Sequence, residues 1–288
     1  MSFRVLVLGC GGALVLACGS DPVESEEAGP SPPPSGSAEC KGPGYREDSE
    51  PQRVDSVTAE LVDLDGEPVA DELVQVCGLD LCTNGRSGRD GRVAMALGQE
   101  FLEPAFKFGE GRISARFAQR LPRESEIELG VVRTVRLPDV NDAVPIAAGD
   151  SAEFEGFTLT IADGAKVQID GISFRTPAEK GLRAVRVPME GAPDVVTQGP
   201  DLELVYAATP VDTRFCPPAA LSVENSEGWA PGTNVEVWIR GVDIAEEYAP
   251  YGGWGLVSSA SVSSDGERIE TKDPGLPVLG VLGFKHAD

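Results

Sequence analysis

Few residues in this chain could do covalent or acid–base chemistry. Its 288 residues include 6 cysteines and a single histidine. Cys40, Cys77, Cys82 and Cys216 allow three pairings into two disulfides. Cys77 and Cys82 flank Gly78-Leu79-Asp80-Leu81, a spacing that fits a bridge across a hairpin and leaves Cys40 for Cys216. Loop-closure entropy gives about 2 kcal/mol for the short loop and about 5 for the long one. The C-x₄-C spacing is not the C-x₂-C of redox and zinc sites, so no metal and no cofactor are expected. His286 is expected in a flexible tail, which removes a Ser-His-Asp triad and a His-based zinc protease. The chain is therefore expected not to be an enzyme.

Two further groups of residues invite a functional reading. Asp63-Leu64-Asp65-Gly66-Glu67 opens like a calcium loop, but the position that must carry the bidentate Glu is Val74, so a hairpin turn is expected instead. Tyr248, Tyr251 and Trp254, with Trp229, could form an aromatic platform for a sugar or peptide. The glycine-rich Tyr251-Gly252-Gly253-Trp254 segment is the expected ligand loop.

The elements that must position these residues read as strands. Val57, Ala59 and Leu61 share one face of an extended chain, as do Val93, Met95 and Leu97. Ile113, Ala115 and Phe117 repeat the alternation, then Ile127, Leu129 and Val131. Asp65-Gly66, Asn84-Gly85 and Asp90-Gly91 are turn dipeptides. Farther on, Phe157, Leu159 and Ile161 alternate, then Leu202, Leu204 and Tyr206, then Val235, Val237 and Ile239. Hydrophobic content of 41%, with 34 Gly, 23 Pro and only 6% aromatics, suits short strands and turns. The fold class is all-β, two tandem β-sandwiches at 54–137 and 138–288.

The start of the chain has a different character. Residues 1–17 carry Arg4 and a short apolar run, Val5 to Leu16, too short to span a bilayer and suited to a secretory signal peptide. Val15-Leu16-Ala17-Cys18 resembles the lipobox of bacterial lipoproteins, with Cys10 as a lesser alternative. The resemblance implies cleavage before Cys18 and lipidation of its sulfur. Gly19 follows the cysteine where a retention Asp is absent, which by the same resemblance points to the outer membrane. Residues 18–53 read as a lipid-anchored linker: Gly19 to Glu39 carries five acidic residues, no basic ones and Pro32-Pro33-Pro34, and cannot bury a core. The formal net charge of -23 disfavours nucleic acid as a partner.

The motifs also resemble known families. Leu61-Val62-Asp63-Leu64-Asp65-Gly66-Glu67-Pro68-Val69-Ala70, with the later Ser87-Gly88-Arg89-Asp90-Gly91-Arg92-Val93, is similar to the carboxypeptidase-regulatory-like domain. Asp71 departs from its usual small residue. The second half resembles bacterial relatives of the netrin-receptor and ankyrin-type sandwich (the ZU-five class). The resemblance rests on Phe157-Thr158-Leu159-Thr160-Ile161-Ala162-Asp163-Gly164-Ala165, on Tyr206 through Phe215-Cys216-Pro217, on Pro231-Gly232-Thr233, on Trp254 and on Asp265-Gly266. Both resemblances imply non-catalytic, transthyretin-like or sandwich modules. The expected function is a lipid-anchored envelope or surface protein for adhesion, scaffolding or assembly. Its partners would be the membrane, through the anchor, and an envelope protein or glycan. The alternative is an accessory lipoprotein that binds a carbohydrate or peptide through the Tyr248 to Trp254 loop.

Overall fold

A computed structural model of the protein describes residues 40–46 and 50–287. The signal peptide, Cys18 and the acidic linker lie outside the described residues. Seven strands form the first half: β1 (Pro51–Val62), β2 (Leu73–Cys77), β3 (Cys82–Arg86), β4 (Arg92–Leu102), β5 (Ala105–Phe108), β6 (Phe117–Arg120) and β7 (Glu126–Arg133). They make a three-stranded sheet, β4-β1-β7, and a four-stranded sheet, β3-β2-β5-β6. Alternation decides the faces: Val57, Leu61, Val93 and Met95 point into a core shared with Val74, Phe106, Phe108 and Phe117. β1 starts at Pro51, opposite Leu102, so the strand begins inside the stretch read as linker.

Three local expectations are corrected. Asn84-Gly85 lies within β3, paired with Gln75 and Val74, and is not a turn. Ile113 is 56% exposed while Ser114 is buried, because strand geometry starts only at Phe117. In β7 Ile127 is buried as expected, but farther along the buried residue is Val132 and not Val131, which is 55% exposed. The register against β1 slips between Thr58 and Glu60, where Gly130 takes φ 65. A bulge inserts one residue and reverses the alternation beyond it.

The second half adds β8 (Ser151–Phe154), β9 (Phe157–Thr160), β10 (Lys166–Gln168), β11 (Arg183–Arg186), a single-turn helix α1 (Asp194–Thr197), β12 (Leu204–Thr209), β13 (Thr213–Glu224), β14 (Asn234–Arg240), β15 (Trp254–Val262), β16 (Arg268–Thr271), β17 (Leu276–Leu279) and β18 (Val281–His286). They form an 11-stranded sheet that runs β11-β12-β18-β14-β15-β16-β13-β9-β8, with β10 and β17 also on β13. β13 is long enough to hold β9, β10, β16 and β17 along different parts of its length, so the sheet can curl over its own core.

β12 explains how the halves meet. All six of its residues are buried. Leu204, Tyr206 and Ala208 belong to the core of the second half. Val205 and Ala207 face the other way and join the core of the first half, together with Val195 and Val196 of α1, Trp254 and Val281. A sheet apolar on both faces must be covered on both, and the first half supplies the second cover. The described residues accordingly cluster as one compact unit.

Candidate functional site

Arginines fasten this junction, Arg183 and Arg240 from buried positions and Arg120 from an exposed one. Arg183 is fully buried and donates from Nη1 to Arg112 O and Pro138 O, both at 2.8 Å, and from Nη2 to Gly111 O at 2.9 Å. Arg240 donates to Ala118 O at 3.0 Å, and Arg120 returns a bond from the first half to Tyr251 O at 2.9 Å. Each guanidinium is a planar fork of donors suited to several carbonyls at once.

Along one side of the junction the halves leave an open cleft of about 740 Å³, within the usual size range of ligand sites. Its floor is the outward face of β2, β3 and β5: Gln75, Asn84 and Lys107 contribute, and Gln75 Nε2 donates to Asn84 Oδ1 at 2.7 Å. Lys107 points outward because Phe106 and Phe108 on either side point into the core. The walls come from the second half: Asp170 to Ser173, the Val211-Asp212 turn, and Val242 to Ile244. Ile172 stands at the mouth, 80% exposed.

The electrostatics of the cleft are uneven. Arg86 pairs with Glu110 at 3.0 Å and Arg112 with Glu179 at 2.9 Å. Arg214 holds Asp243 at 2.5 Å, Asp212 at 3.8 Å, and Glu247. Lys107 has no carboxylate within ion-pair distance among the described residues; its ammonium lies 5.4 Å from the centre of the Tyr251 ring. Burial, aided by the positive charge of Arg116, pulls its pKa down to about 8, against the pull of Asp243, Asp212 and Asp170. Arg116 donates only to neutral oxygens: Gly109 O at 3.3 Å, Glu110 O at 3.1 Å and Ser173 Oγ at 3.3 Å. Asp212 sits at φ 62, a strained conformation for a residue with a side chain. Burial and the neighbouring Asp243 push its pKa up to about 7, against Arg214 and Lys107. Two groups shifted toward neutrality in one cleft mark a functional-site candidate.

The aromatic loop expected to hold a ligand is not an open platform. Tyr248, Tyr251 and Trp254 are 8%, 0% and 8% exposed. Tyr248 Oη donates to Cys40 O at 2.9 Å. The backbone NH of Tyr251 donates to Glu246 Oε1 at 2.6 Å, and Arg240 lies over the Trp254 ring at 5.6 Å. Gly252 packs so close to β6 that a Cβ there would lie 2.9 Å from the Arg120 nitrogen, at a φ of +67. The loop is a latch between the halves, and its aromatic rings are packing surface. Trp229 is half-buried and packs against the core of the second half.

The remaining residues of interest have structural partners. Cys77 is bridged to Cys82, the last and first residues of the paired β2 and β3. Cys40 is bridged to Cys216 of β13, 176 residues away. His286 is not in a free tail: it ends β18, and its Nδ1 lies 2.6 Å from Glu203 Oε1. Asp63 closes a turn by accepting from the amides of Asp65 at 3.1 Å and Glu67 at 2.9 Å. Arg136 pairs with it at 2.8 Å and holds its carboxyl below the usual range.

No family model matches the sequence, and no curated protein matches it. Among solved structures, the Bacillus anthracis TIE protein overlaps with a TM-score of 0.25 at 11% identity, covering 82% of this chain and 45% of that one. The chain thus spans less than half the length of that protein. The shaft pilin spaA from Lactobacillus rhamnosus GG overlaps with a TM-score of 0.22 at 11% identity, covering 56% of this chain and 92% of that one. Neither overlap is close enough to assign a fold or a function to this chain.

Proposed function

We propose that this chain is a non-catalytic, lipid-anchored envelope protein, held at the outer membrane through Cys18, that presents two fused β-sandwiches as one stiff body for adhesion, scaffolding or assembly. The observation that carries the reading is the Cys40–Cys216 bridge. It ties the end of the expected linker to the second half, so a pull on the tether enters the folded body through a covalent bond. Two disulfides in one chain also favour an oxidising, extracytoplasmic compartment. The shared core around β12 supports stiffness, because the halves cannot separate without exposing Val205, Ala207 and Trp254. The sequence resemblance to a lipobox supports the anchor, since two or more acyl chains hold a protein durably where one does not. Fractionation tests the reading. The wild-type chain should partition with membranes into detergent, and Cys18→Ala should release it as soluble material. A wild-type chain recovered as soluble protein, with Cys18 unmodified, overturns the anchor.

A further inference from the structure

Two cations and two carboxylates in the cleft beside the junction do not pair with one another. Lys107 and Arg116 are half-buried in it, and neither has a carboxylate within ion-pair distance among the described residues. Asp170 and Asp212 are half-buried in the facing wall. Asp170 has no ion pair among the described residues, and Asp212 reaches only Arg214, at 3.8 Å. The two sets still act on each other through space. Other bonds hold them apart. Arg116 donates to Gly109 O, Glu110 O and Ser173 Oγ and lies over the Phe174 ring at 5.9 Å. Lys107 lies over the Tyr251 ring at 5.4 Å. Asp170 accepts from the Ile172 amide at 2.9 Å, and the Asp212 amide is tied to Leu279 O at 2.7 Å. Opposite charges free to move would close on each other, and these are fixed on either side of an open gap. The cleft's other charges are taken up in contact pairs, Arg86 with Glu110, Arg112 with Glu179 and Arg214 with Asp243.

We propose that the cleft binds a zwitterion of the amino-acid type, its carboxylate against Lys107 and Arg116 and its ammonium against Asp170 and Asp212. As many carboxylates as cations line the cleft, so it exerts no net pull on a simple anion or a simple cation. A dipolar ligand gains a charge-assisted hydrogen bond at each end. The protein charges are already in place, so little ordering is lost on binding. The reading does not depend on the anchor. Burial pushes Asp212 up to about 7 and Lys107 down to about 8. Asp212 is therefore charged above that range and Lys107 below it, and both are charged together only in between. Affinity should peak at roughly pH 7.5 and fall on either side. The groups facing that pair are Arg116, Asp170, Asp243, Arg214 and the Tyr251 ring.

Calorimetric titration of the full chain tests the site. The common L-amino acids are titrated one at a time at roughly pH 7.5. At least one should bind, and its N-acetyl and carboxamide forms, each lacking one charge, should bind at least about tenfold more weakly. Lys107→Gln and Asp170→Asn should each weaken the amino acid by about tenfold with an unchanged unfolding temperature. If a variant does not fold, the wild-type comparison of the three ligand forms decides alone. The proposal is overturned if no amino acid binds, if either singly charged form binds as tightly as the zwitterion, or if affinity does not change with pH across that peak.

Discussion

Replacing Arg183 with leucine should destabilise the protein by about 3 kcal/mol, and the figure follows from what its guanidinium touches. The side chain makes three bonds to backbone carbonyls, two in the first half, Gly111 O and Arg112 O, and one at the start of the second, Pro138 O. Gly111 O keeps a second donor, Thr209 Oγ1 at 3.1 Å, so its loss is modest. Arg112 O and Pro138 O lose the bonds that Arg183 makes, at about 1–3 kcal/mol each. Relief from burying a cation offsets part of this, and leucine recovers some packing. Replacing a buried charge by a hydrophobe is often neutral when every partner is replaced too. Here the partners are peptide carbonyls and stay in place. For a unit of this size, about 3 kcal/mol corresponds to a fall of about 6–12 °C in unfolding temperature. Circular dichroism or calorimetry with the disulfides intact reads it, and Arg183→Lys should fall between wild type and leucine. A leucine variant as stable as wild type would refute the clamp, as would one whose two halves melt separately at the wild-type temperature of each.

Three further outcomes follow from the same contacts. Asp212→Asn should stabilise the protein at pH 8 by about 2 kcal/mol and have no effect near pH 4. The folded pKa of about 7 lies above the unfolded 3.8, so wild-type stability falls as pH rises from about 4 to 7; chemical denaturation at both pH values measures this, and a pH-independent gain would contradict it. Cys216→Ser should lower stability by about 5 kcal/mol in the chain-entropy limit and leave Cys40 labelled by maleimide in denaturant, whereas non-reduced peptide maps linking Cys40 to Cys77 or Cys82 would exclude the assigned pairing. Tyr251→Ala should act as a core lesion of about 3–4 kcal/mol, read as a loss of unfolding temperature, and a variant as stable as wild type would place the ring at the surface instead.

The strands were legible where one face is buried and the register is regular. Val57, Leu61, Val93, Met95, Phe157, Leu159, Val235 and Val237 all face a core as their alternation requires. Alternation misled at Val131, because the bulge at Gly130 reverses every face beyond it and leaves no mark in composition. It also undersold β12. Leu204 and Tyr206 read as one apolar face, and Val205 and Ala207 between them are a second, which is how the halves come to share a core. For the aromatic loop, tyrosine and tryptophan near glycines suit a ligand loop and a tight packed latch equally, and only burial separates the two. The cleft was invisible, because Lys107, Arg116, Asp170 and Asp212 come from distant strands and loops and form no motif. The nearest signal was Phe106-Lys107-Phe108, a lone cation facing away from two core rings.

In-cell crosslinking with mass spectrometry reads whether the anchored body meets a protein partner in the envelope. A lipid-anchored, stiff body built for adhesion or assembly should give reproducible crosslinks from the folded unit to one or a few envelope proteins. Those crosslinks should disappear from the membrane fraction when Cys18→Ala releases the chain. No partner above background, with the wild-type chain present in the envelope, would contradict the account.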